Sequence, residues 1–76
     1  MGQSIKMDMK KRARMFSGML NLLGDDARQL QADAADFDII CLEESIKDAK
    51  TTLQMLVDNI TEMEYMLYLV KSKESY

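Results

Sequence analysis

The chain has no histidine, no proline and no tryptophan, and in 76 residues it has three glycines and a single cysteine, Cys41. Each absence excludes something. Without histidine there is no imidazole to act as general base or metal ligand. One thiol among scattered carboxylates does not make a zinc site. Cys41 has no second cysteine for an internal disulfide, and it lacks the basic partner that a thiolate nucleophile needs. Its expected role is packing rather than chemistry. No glycine-rich loop is present to cradle a phosphate. The neighbouring acids Asp25/Asp26 and Glu43/Glu44 are adjacent in sequence, so they do not face each other on a helix. The expectation is a protein that is not an enzyme, with no cofactor and no metal.

Long apolar runs are absent too. None approaches the ~20 residues that span a bilayer, and the opening MGQSIKMDMKKRAR lacks the apolar stretch of a signal peptide. Lys6 stands where an N-myristoylation motif has Ser or Thr. These features lead to an expected cytoplasmic, reducing location without a membrane partner. A single domain of this length buries too little surface to be comfortably stable alone. With disulfide and metal excluded, another protein chain is the remaining aid.

What is present is helical periodicity. The chain is 47% apolar and 30% charged, which suits amphipathic helices. In the second half, Ile39, Ile46, Leu53, Ile60 and Leu67 alternate with Leu42, Ala49, Leu56, Met63 and Val70 in unbroken steps of three and four. Sustained spacing of this kind marks a helix with one buried seam. The first half repeats it through Ala13, Phe16, Leu20, Leu23, Ala27, Leu30, Ala34 and Phe37. The register slips by two residues between Phe37 and Ile39, which no ordinary stutter absorbs. The chain is therefore expected to turn there.

The reading is an all-α antiparallel hairpin in one domain over residues 1–76. Arm one covers about 4–35, the turn about 35–38 and arm two about 38–72, with 73–76 a frayed tail. Asp38 is a good N-cap for the second arm, with Phe37 before it and Leu42 inside as a hydrophobic staple. Ser4 is the corresponding cap of the first. Gly24 followed by Asp25 is a rival stop signal, but turning there sets Phe16 and Ala13 beside Asp33 and Asp36. Gly24 is read instead as a kink or break. The expected hairpin seam is Leu20, Leu23 and Leu30 against the second-arm series from Ile39 to Val70.

Far from the turn the apolar stripe is wider than one seam can hide. Met15, Phe16, Met19 and Leu22 on the first arm, with Met55, Val57, Met63, Met66, Tyr68 and Leu69 on the second, form an expected interface to another chain. Its methionines suit irregular contacts. Self-pairing into a dimeric four-helix bundle is the simplest way to cover it, and a different protein is the alternative.

Charge is unevenly spread. Residues 1–24 hold five bases and Asp8, for +4; residues 25–48 hold eight acids against Arg28 and Lys47, for −6; residues 49–76 hold three bases and four acids, for −1. The basic run Lys10, Lys11, Arg12, Arg14 is a candidate patch for nucleic acid or an acidic partner, though it is short and sits on an acidic chain, so nucleic acid is not the expected partner. Small phage antirepressors, helical secretion chaperones and RNA-binding hairpin proteins resemble this chain in size and layout, and shape alone does not fix function. The leading expectation is a small regulatory binder that inhibits or sequesters another protein, antirepressor-like or anti-defence-like. The alternatives are a helical assembly chaperone and an RNA-binding hairpin dimer.

Overall fold

A computed structural model of the chain describes the backbone of residues 2–74 and the side chains of residues 5–73. It is an antiparallel hairpin of two helices, α1 over Gly2–Asp36 and α2 over Ile39–Glu74. They pack along their full length into a rod of 58 × 16 × 12 Å. No helix among the described residues is long and apolar enough to cross a membrane.

The reversal is compact because both helix ends are capped by the turn itself. Phe37 has a φ of 52°, and its amide donates to the Ala34 carbonyl (3.2 Å) while that of Asp38 donates to the Asp33 carbonyl (3.3 Å). This pair of bonds is the Schellman arrangement, which satisfies the last carbonyls of α1. Asp38 then caps α2: its Oδ1 accepts from the Cys41 amide at 3.2 Å, and its carbonyl accepts from the Leu42 amide at 2.8 Å. The Phe37 ring is 72% exposed, so a staple onto Leu42 hides little of it.

Three sequence expectations change. α1 runs through Gly24 without a break, and the position needs no glycine, since a Cβ there would meet nothing within 4 Å. Proline-free flanks and the packed partner helix outweigh the roughly 1 kcal/mol that glycine costs. Ser4 lies inside α1 rather than at its cap. The second helix continues through Lys73 and Glu74, where fraying was expected, and residues 75–76 of that tail lie outside the described residues.

The seam itself is rotated from the expected one. On α1 the residues turned toward α2 are Met9, Phe16, Leu23 and Leu30 in one row, and Ile5, Arg12, Met19, Asp26 and Asp33 in the next. On α2 they are Leu42, Ala49, Leu56, Met63 and Val70 in one row, and Ser45, Thr52, Asn59 and Met66 in the next. The first row on each arm is apolar and matches half of the expected seam. The second row is largely polar and was not expected at all. Leu20, Ile39, Ile46, Leu53, Ile60 and Leu67, expected inside, are instead 39–64% exposed.

Candidate functional site

Hydrogen bonds between the arms explain the rotation. Ser45 donates its hydroxyl to Asp33 Oδ2, and Gln29 Nε2 donates to Asp33 Oδ1 at 3.1 Å. One heptad further along both arms, Thr52 Oγ1 donates to Asp26 Oδ2 at 2.7 Å. Asn59 donates Nδ2 to the main-chain carbonyl of Arg12 at 2.8 Å and accepts from the Arg12 guanidinium at 3.3 Å. Ser45, Thr52 and Asn59 are 5–8% exposed. Polar groups this enclosed must be paired or they cost free energy, and among the described residues every buried polar side-chain atom has a partner. The turn, two residues long, fixes the phase in which α2 meets α1, and these rungs hold it there.

Polar rungs in the seam displace apolar side chains from it. A two-fold axis perpendicular to the plane of the hairpin relates antiparallel arms, so equivalent flanking rows fall on the same broad face. The front face therefore carries Ala13, Leu20, Ala27 and Ala34 of α1 beside Ile39, Ile46, Leu53, Ile60 and Leu67 of α2. With the two apolar seam rows between them, these side chains form a continuous stripe along the rod. Its centre lies about 50° round each helix from the contact line. Two shallow concavities open on it: one of about 390 Å³ at the open end, lined by Ile5, Met9, Ala13 and Val70 with Lys6 and Lys10, and one of about 270 Å³ around Phe16, Leu56, Val57 and Ile60.

The reverse face is different. Near the turn it is polar, with Asp26, Asp33, Ser45 and Thr52. From the middle of the rod toward its open end it carries Met15, Leu22, Met55 and Leu69, which are 37–53% exposed, around the seam methionines Met19 and Met66. A concavity of about 270 Å³ there is lined by Met15, Met19 and Met55 with Arg12, Asn59 and Glu62.

The expected distal interface is thus divided by the structure. Met15, Leu22, Met55 and Leu69 share the reverse face. Met19, at 8% exposure, is part of the seam, and Phe16, Met63 and Met66 are half-buried in it. Val57 lies at the edge of the front face and Tyr68 on the outer side of α2; both are exposed. The basic run is divided as well. Arg12 turns inward to Asn59, while Lys10, Lys11 and Arg14 stay exposed on the outer side of α1. Cys41 is exposed, so it does not pack within the chain. Hydrogen bonding to the Asp38 carboxylate, and then its charge, push the thiol pKa above its ordinary value. No group of three metal-ligating side chains occurs among the described residues. Sequence periodicity found the apolar rows but missed the polar ones, whose only signal was Asp, Ser, Thr and Asn recurring at sevens.

The chain matches no family model, no curated protein and no solved structure.

Proposed function

We propose that this chain is a non-catalytic protein–protein interaction module, acting as a small regulatory binder that inhibits or sequesters another protein in a reducing, cytoplasmic setting. One observation carries the reading. Among the described residues, Met19 and Leu56 are the only buried apolar side chains, whereas sixteen large apolar side chains are exposed. A rod with so little interior gains most of its apolar burial from other chains. The methionine-rich patch on the reverse face is the surface offered to a different protein, since flexible thioethers accommodate several partner shapes and Arg12, Asn59 and Glu62 supply a polar rim.

Affinity capture from the source cell tests this, comparing the wild type with a Met15→Glu/Met55→Glu variant of equal helicity. The expected result is a specific protein held by the first and lost by the second. Identical capture by both would end the binder reading.

A further inference from the structure

The front face is a separate surface, and its chemistry names its own occupant. We infer that it binds a second copy of this chain, head to tail, so that two hairpins close a four-helix bundle with their turns at opposite ends. This shares with the binder reading the finding of uncovered apolar surface, but it concerns the opposite side of the rod.

Three observations point to a second copy. The first is extent: the stripe runs the length of both arms, whereas a ligand-sized groove would occupy a few turns. The second is area. A face of 58 × 16 Å presents about 900 Å², close to the ~800 Å² per partner that a stable protein pair buries. The third is charge. The turn half of the rod, residues 20–56, sums to −5 over both faces and the open half, residues 1–19 and 57–76 together, to +2, and along the edge of the front face α2 carries the exposed Glu43, Lys50, Glu64 and Lys71. Head-to-tail pairing lays α2 antiparallel over its own copy, which sets Lys50 opposite the partner's Glu64 and Glu43 near the partner's Lys71, beside the stripe. The same-end arrangement would lay the alanine row of α1 over the larger row of α2, a reasonable fit of shapes, but it stacks two acidic turns. Charge complementarity selects the first arrangement.

In that pair α1 lies over its own copy and α2 over its own. Leu20, Leu53 and Ile60 become interior, and the concavity around Ile5, Met9 and Val70 is closed by the partner's turn end.

Light scattering on the full chain should give twice the monomer mass of 8.7 kDa. Leu53→Asp/Ile60→Asp should shift this to the monomer, while Met55→Asp, on the reverse face, should leave it doubled. Because the front-face variant can also unfold, a second measurement uses the wild-type chain. Cys41 is exposed and lies one turn from the fold-back, away from the front face. A spin label there should report a distance between copies of about 50 Å head to tail, against about 30 Å for turns at one end. The dissociation constant should rise several-fold between low salt and ~0.5 M as the opposed charges are screened. A helical monomer at all concentrations overturns the inference and leaves the binder reading standing. A short label distance, or tighter pairing in high salt, overturns the head-to-tail arrangement. A wild-type mass retained by Leu53→Asp/Ile60→Asp overturns the choice of face. Loss of capture by the reverse-face variant bears on none of these.

Discussion

Phe37 holds a left-handed backbone conformation that normally falls to glycine, and its ring is largely in solvent. A side chain in that conformation costs about 1–2 kcal/mol, which glycine avoids. Phe37→Gly should therefore stabilise the hairpin by about 1 kcal/mol, raising the thermal midpoint by about 4–8 °C in a chain of this size. A midpoint that falls instead would show that contacts of the ring outweigh the strain. Cys41 offers a second test three residues inside α2. The thiolate is the form that alkylates, and Asp38 raises the thiol pKa, so less thiolate exists at a given pH. Reaction with iodoacetamide at pH 8 should be slower than for the same chain in urea, and its rate should go on climbing as the pH is raised further. Asp38→Asn keeps a capping oxygen while removing the charge, so it should speed the reaction without loss of helicity.

Between the two helices, the rungs contribute more to register than to net stability. Asp33→Ala leaves the enclosed Ser45 hydroxyl without its acceptor, an expected loss of about 1–3 kcal/mol by chemical denaturation. Adding Ser45→Ala removes the orphaned group, so the double variant should recover part of that loss; a strictly additive double variant would show that the two do not act as a pair. The boundaries at the turn were legible in the sequence because the register slip at Phe37–Ile39 and the capping chemistry of Asp38 are local signals. The phase of packing was not legible. The spacing of Ile39, Leu42, Ile46 and Ala49 marks where apolar side chains gather, which is the middle of the stripe on the front of the rod. It does not mark where one arm touches the other. Asp26, Asp33, Ser45, Thr52 and Asn59 read in sequence as solvated surface, and only the partner arm shows that they bond inward. Gly24 misled for a similar reason: a local stop signal was overridden by packing along the whole of α2.

As a whole molecule, a rod with two buried apolar side chains among the described residues would have its folding tied to the assembly inferred above. Thermal midpoints should therefore rise with protein concentration, because subunit association is mass action. A midpoint constant from micromolar to millimolar protein would show a hairpin that stands alone. The methionine patch lies on the reverse face at the middle of the rod, away from the turn. Two rods joined front to front and end over end would point one such patch outward from each broad side of the pair. The pair would then be bivalent, able to bridge two target molecules on opposite sides, with an avidity towards linked targets that neither patch has separately.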